Sequence, residues 1–213
     1  MKHLVIIGAG GWGREVYESA LHTAAYETGA YDIKGFLDDR ANALNGLKGN
    51  YPPVIGSIET YEIQPDDVFF CAMGDSRWRK HYAEIIEAKG GKFITLIAQG
   101  AFVNPTATIG DGSFIAGWAS VSDNVVLGRH VLIHPFSNLG HDVRVGDFSS
   151  LLSYTFMGGG AKVGKCCTIN PMSMIVPRKS IGDNVVVGAN SVVMRNFPEN
   201  VHVFGNPARK LEF

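Results

Sequence analysis

An aliphatic side chain returns at every sixth position from Val103 to Val193 (103, 109, 115, 121, 127, 133, 139, 145, 151, 157, 163, 169, 175, 181, 187 and 193), and each one is Val, Ile, Leu or Met. If a third of all residues were aliphatic, so long a run in a preset register would arise on the order of once in tens of millions of trials. The residue four places after each is small or Val in fourteen of the sixteen cases, Lys179 and Phe197 being the exceptions, and eight of the sixteen residues that follow directly are Gly. A period of six fits neither a helical turn nor a coiled-coil heptad. It does fit a coil with three flat sides, with Gly at the corners to supply positive φ. Three hexads then make one coil of a parallel β-helix, and at ~4.8 Å per strand the repeat gives about five coils and a column roughly 25 Å tall, filled by the aliphatic ladder. No insertion covers its flat outer faces, which implies that something else does.

Residues 1–97 alternate short apolar runs with amphipathic stretches, the pattern of a layered α/β unit. Strands are predicted at Leu4–Ile7, Ile33–Leu37, Val68–Ala72 and Phe93–Ile97, helices over 12–24 and 77–88, and a surface loop around Asn50-Tyr51-Pro52-Pro53. The first strand runs into Gly8-Ala9-Gly10-Gly11-Trp12-Gly13, a G-x-G-x-x-G at the mouth of a helix, where backbone N–H groups can hold a phosphate. Asp38 and Asp39 end the second apolar run, placed to accept from ribose hydroxyls, and Gly74-Asp75 occupies the corresponding tip of another strand. A dinucleotide needs a mirrored second half, which so short a stretch lacks, so a single nucleotide fits better than NAD. The plainer alternative is that the glycines only let strand and helix pack closely and that Asp38-Asp39 is a solvated turn.

With 19 Lys and Arg against 20 Asp and Glu, the net charge of -1 excludes the basic face of a nucleic-acid binder. No stretch approaches a membrane span, and the opening Met1-Lys2-His3-Leu4-Val5-Ile6-Ile7 is too short for a signal peptide, so a cytoplasmic chain is expected. Cys71, Cys166 and Cys167 have neither disulfide-scaffold nor CxxC spacing and read as reduced filler.

In the repeat, His141 is followed by Asp142, an imidazole beside a carboxylate that can raise its basicity. Gly159, centre of Gly158-Gly159-Gly160, falls one coil further on, where a bare N–H can serve as an oxyanion donor. From Met157 to Lys210 seven basic residues (Lys162, Lys165, Arg178, Lys179, Arg195, Arg209 and Lys210) face only Asp183 and Glu199, a surplus that suits a polyanion such as coenzyme A. A corner histidine, lenient corners and a solvated face are the bland counterparts.

The hexad pattern resembles the left-handed β-helix of the hexapeptide-repeat acyltransferases. The order of one G-x-G-x-x-G half, a hexad column, His141-Asp142 in its middle and a closing Gly205-Asn206-Pro207-Ala208-Arg209 is similar to the bacterial sugar O-/N-acetyltransferases, which include sialic acid O-acetyltransferases and UDP-4-amino-sugar N-acetyltransferases. The resemblance implies a nucleotide-sugar domain over 1–97 and an acyltransferase domain over 98–213, a homotrimer with sites between subunits, and acetyl-CoA as donor. It makes His141 the general base, Asp142 its tuner and Gly159 the thioester-carbonyl donor. Gly8, Ala9, Gly10, Gly11, Trp12, Gly13, Asp38, Asp39, Gly74 and Asp75 would hold the nucleotide, and Ser150, Gly159, Pro171, Ala189 and Arg209 would face the coenzyme. Two positions depart from the family: Ser150 stands where relatives often carry a second histidine, and His134 where they carry an asparagine.

Three functions are weighed: direct acetyl transfer to a nucleotide-linked amino sugar, with a sugar hydroxyl or sialic acid as the variant acceptor; a zinc enzyme using His130, His134 and His141; and a trimeric nucleotide-sugar sensor without catalysis. The three histidines fall at different places in their hexads, which argues against a shared metal, so no metal is expected. Neither Cys166 nor Cys167 falls near His141 in the register, which favours transfer without a covalent enzyme intermediate.

Overall fold

The structure is a computed structural model that describes residues 1–211 and divides into two compact units, one spanning Met1–Gln99 and the other beginning at Gly100. In the first, β1 (Lys2–Ile7), β2 (Tyr31–Leu37), β3 (Val54–Gly56) and β4 (Asp67–Cys71) form a parallel sheet in the order β3-β2-β1-β4. β1 lies inside this order and β4 at its end, and both read as apolar runs, with Leu4 to Ile7 and Val68 to Cys71 all buried as in parallel strands covered on both faces. Helix α1 (Gly11–Leu21) buries Gly13, Val16 and Ala20, and α3 (Ser76–Ala88) buries Arg79, Ala83 and Ile86.

Two local expectations need correction, and the loop at Asn50–Pro53 stands. The helix expected over 12–24 stops at Leu21, because the Thr23 hydroxyl caps a separate short helix, α2 (Ala24–Glu27), through the Tyr26 N–H at 3.1 Å. The strand expected at Phe93–Ile97 is ordered only over Leu96–Ile97, Phe93 making a single bridge to Phe69. The loop at Asn50–Pro53 leads into β3, an edge strand too short for its periodicity to show.

The second unit is a parallel β-solenoid of two-residue strands. Pairing steps by eighteen residues throughout the hexads: Thr108–Ile109, Val126–Leu127, Arg144–Val145, Lys162–Val163 and Ser180–Ile181 stack on one face, and Phe102–Val103, Ser120–Val121, Asn138–Leu139, Phe156–Met157, Met174–Ile175 and Val192–Val193 on another. The ladder residues from Ile115 to Val193 are buried in one continuous core, with Val103 and Ile109 packed against its end. About five coils is too short a column. On the third face, from Phe114–Ile115 through Leu132–Ile133, Ser150–Leu151, Thr168–Ile169 and Val186–Val187, stacking continues into His202–Phe204 and the antiparallel Arg209–Lys210. Val187 pairs with Val203, and Ile181 with Phe197, so the last steps span sixteen residues and fall out of the six-residue register.

The corner glycines also act differently from expectation. From Ile109 to Val187, positive φ falls three places after each aliphatic residue, usually on a non-glycine such as Trp118, Phe136 or Asp142. The glycines directly after the aliphatic residues are there for closeness: a Cβ on Gly110 would lie 2.6 Å from the Gly128 carbonyl carbon, and one on Gly146 2.6 Å from that of Gly164. Coil-on-coil stacking leaves no room for a side chain at these positions.

Candidate active site

His141 and Asp142 form the corner after Asn138–Leu139, with Asp142 in the left-handed region at φ 60°. His141 Nδ1 and Asp142 Oδ2 are 2.7 Å apart, and the imidazole is 70% exposed in a single chain. The hydrogen bond to His141, and next the one from Asn124, hold the Asp142 carboxyl below the ordinary carboxylate value. An ionised carboxylate only accepts, so in the neutral ring Nδ1 carries the proton and Nε2 the lone pair. One coil below, the ring lies over Gly159: a Cβ there would sit 2.4 Å from His141 Nε2. The Gly159 N–H takes no backbone acceptor among the described residues, whereas Gly160 N–H donates to the His141 carbonyl at 2.8 Å. The stacking that sets His141 above Gly159 thus leaves a free lone pair beside a bare backbone donor.

The other residues expected at the coenzyme lie elsewhere on one chain. Ser150 is buried on the face of Leu132 and Thr168, and Pro171 and Ala189 share a different corner from His141. Arg209 is exposed on the closing antiparallel strand. His130 is buried with its ring stacked on Phe148 at 4.8 Å, and among the described residues no group of His, Cys, Asp or Glu could hold a metal ion. Burial pushes the Cys167 thiol up to about 11 and that of Cys71 up to about 12, so neither is a thiolate nucleophile near neutral pH.

In the α/β unit, Gly8 adopts φ 98° at the end of β1, and Gly13 is required because a Cβ would fall 1.9 Å from the Gly8 carbonyl oxygen. The packing reading of this glycine is therefore correct. Gly10 stands at the N-cap of α1 without a side chain to bond its first-turn N–H groups. Asp38 is buried and already engaged: it accepts from the Ala9 N–H at 2.9 Å and from the Arg40 backbone, Nε and Nη2, each at 3.0 Å. Burial raises its pKa, but the Arg40 side chain and the two backbone donors outweigh it, and the net shift is downward. The clasped Arg40 reaches over the glycine loop, its Nη2 4.0 Å from where a Gly10 Cβ would stand.

A cavity of about 390 Å³ is lined by Asp38, Asp39, Arg40, Ile58, Met73, Trp78 and Tyr82. That volume lies at the lower end of the range that small-ligand sites occupy. Trp78 is 53% exposed and stacks with Tyr82 at 5.8 Å and 23°. Gly74 and Asp75 do not line the cavity. Asp75 caps α3 by accepting the Arg77 N–H at 2.8 Å, and the Gly74 carbonyl accepts from buried Arg79 at 2.9 Å. Trp78 and Tyr82 were legible as an i, i+4 aromatic pair on α3, and Asn124 as the residue one coil before Asp142, but neither was singled out from the sequence.

A column of stacked hexads bearing an exposed, carboxylate-held imidazole defines the class of hexapeptide-repeat acyltransferases. The PglD N-terminal domain profile matches residues 3–86. The acetyltransferase domain of PglB from Neisseria gonorrhoeae FA1090, solved alone and with acetyl coenzyme A, is 30% identical; the structure solved alone has a TM-score of 0.88 over 99% of this chain and 100% of that one. PerB from Caulobacter crescentus, solved with CoA and GDP-perosamine, is 25% identical with a TM-score of 0.86 over 100% and 98%. The UDP-N-acetylbacillosamine N-acetyltransferase of Bacillus subtilis (strain 168) is 34% identical over 54% of this chain, which spans about half (51%) of that relative. The chain belongs to the hexapeptide-repeat acetyltransferase family whose members carry a PglD-type N-terminal domain.

Proposed function

We propose that the protein is an acetyl-CoA-dependent N-acetyltransferase acting on a nucleotide-linked amino sugar, with a UDP-linked 4-amino-4,6-dideoxy sugar as the expected acceptor. The observation that carries this reading is the imidazole held by Asp142 with Nε2 free above Gly159. His141 Nε2 takes the proton that the sugar amine sheds as its nitrogen bonds the acetyl carbon. Gly159 N–H donates to the oxygen that gains charge, and as the carbon–sulfur bond breaks the imidazolium returns the proton to the departing thiolate. The glycine strip beneath the ring leaves that donor uncovered, and acetyl-CoA supplies the acyl group as a substrate.

Residues 1–97 act as the nucleotide-sugar domain and 98–213 as the acyltransferase domain, wound left-handed like the family. Asp39, Arg40, Trp78 and Tyr82 take the nucleotide, with the diphosphate toward Gly8 to Gly13; Asp38 acts through Arg40, and Gly74-Asp75 holds the rim. Trimerisation is supported by an exposed apolar ladder at one corner, Trp118, Phe136, Tyr154 and Met172, each one coil apart, in which Phe136 and Tyr154 stack at 4.9 Å. Packed against another copy, that face brings a corner bearing Pro171 and Ala189 toward a neighbour's His141, with Ser150 and Arg209 completing the coenzyme contacts. Among the described residues no helix is long and apolar enough to cross a membrane, and we place the chain in the cytoplasm with its substrates. Thiol release from acetyl-CoA, measured over UDP- and GDP-linked amino sugars and sialic acid, tests the proposal. Turnover with an amino sugar that is lost in His141→Ala is expected, and turnover with sialic acid alone overturns the acceptor assignment.

A further inference from the structure

Asp142 holds the imidazole with only one of its two oxygens. The other, Oδ1, accepts from Asn124 Nδ2 at 2.6 Å, across a step of eighteen residues. Which end of that amide faces the carboxylate is settled by chemistry, since only its N–H can donate to an acceptor. Asn124 is itself pinned on both sides. Its N–H donates to Thr106 Oγ1 at 2.8 Å, its carbonyl accepts from Arg144 Nη1, and the Thr106 hydroxyl is within 2.8 Å of Asn104 Oδ1 and 2.6 Å of Asp123 Oδ1. The column Thr106, Asn124, Asp142 therefore climbs two coils and ends at the imidazole.

Asn124 has φ 54°, and asparagine is common at such corners: Asn184 and Asn190 occupy the same place in their hexads. Asn184 also bonds down its column, to Asn200 Oδ1 at 3.0 Å, and that contact joins two neutral amides. The Asn124 contact differs because its acceptor is the carboxylate that orients His141. A carboxylate holding one donor on each oxygen cannot swing about its Cβ–Cγ bond without breaking a charge-assisted bond. Asp142 is half exposed, so without Asn124 the bond to His141 is all that is described to restrain its turning toward solvent.

Resting on the reading of His141 as the base, we propose that Asn124 is a positioning residue for the transfer, locking the plane of the Asp142 carboxylate and through it the tautomer and tilt of the imidazole over Gly159. The residue touches neither substrate.

The test uses the full chain, with acetyl-CoA and the amino sugar that it turns over. Asn124→Gly removes the amide while tolerating the left-handed corner. It is expected to lower kcat by about tenfold while both KM values stay within about twofold and the thermal midpoint is unchanged. Asn124→Asp, which keeps a side chain suited to positive φ, is expected to lower kcat at least as far, because a carboxylate has no N–H to offer Asp142. In an Asp142→Asn background, Asn124→Gly is expected to change kcat by less than about twofold. An undiminished kcat, or the same loss in both backgrounds, overturns the inference while leaving His141 as the base. Full activity in His141→Ala removes the reading beneath it as well.

Discussion

Asp38 reaches the glycine loop from 29 residues away, across the end of one strand to the end of another, whereas Asn124 meets Asp142 at a separation of 18, the coil length. The first contact depends on where two loops happen to leave the sheet. The second is set by a ruler that repeats through the hexads, so a residue there has its neighbours one coil before and one coil after fixed by counting. Polar groups in the solenoid can thus be assigned partners individually, while those in the α/β unit work as a knot in which Asp38, Ala9 and Arg40 are bound together. A substitution in the column should act on one identifiable neighbour, and one in the knot on several residues at once.

The largest expected effect lies at an exposed corner midway along the column. His141→Ala should lower kcat by about a thousandfold, within the range for loss of a general base, while circular dichroism and the thermal midpoint stay those of the parent. Residual turnover close to wild type would break the comparison by showing that the ruler places an imidazole that does no chemistry. Gly159→Ala sharpens it one coil away. Its Cβ would fall 2.4 Å from His141 Nε2, so the ring must move, and a loss of about a hundredfold in kcat is expected. A methyl at Gly29, which meets nothing within 4 Å and costs only the strain of its φ of 73°, should leave kcat unchanged.

The legibility of the two halves follows the same division. The ladder from Val103 to Val193 announces its own stacking, so His141 over Gly159 could be derived by counting, and so could Asn124 on the opposite side, one coil before Asp142. What counting could not give was the top of the column, because Phe197 and Val203 enter the core on sixteen-residue steps. It also misplaced the role of the glycines after the aliphatic positions, which make close approaches and leave positive φ to Trp118, Asn124 and their equivalents. In the α/β unit, apolar runs located β1, β2 and β4, but the cavity is lined by Arg40, Ile58, Met73, Trp78 and Tyr82, which come from separate loops and a helix face with no common period. Asp38 has the residue type of a ribose ligand and lines the cavity, while its carboxylate also binds Arg40 and the loop, a contact with no sequence signal.

A smaller effect tests that cavity. Trp78→Ala removes an exposed indole that keeps Tyr82 in place, and base–aromatic stacking is worth about 1–3 kcal/mol, so KM for the nucleotide sugar should rise about tenfold with kcat and the acetyl-CoA KM little changed. A fall in kcat with KM constant would move the nucleobase out of the cavity.

The smallest expected effect is a pH dependence of stability carried by the knot itself. Asp38 has its folded-state pKa lowered, burial being overcome by Arg40 and the N–H groups of Ala9 and Arg40. A depressed carboxylate contributes stability above its unfolded value, ordinarily about 3.9, and loses it as pH falls through the lower folded value. Asp38→Asn keeps the shape but cannot ionise. At neutral pH the variant should therefore be the less stable, and below about pH 4 the gap should close, because the wild-type carboxylate takes up a proton and surrenders its charge-assisted bonds. Amide exchange within residues 1–99, followed from neutral pH down to about pH 3, separates this from changes in the solenoid. A gap that stays constant with pH would show that Asp38 holds the glycine loop by shape and neutral hydrogen bonds. The α/β unit would then owe no more to charge at this point than does the stacked aliphatic core of the column.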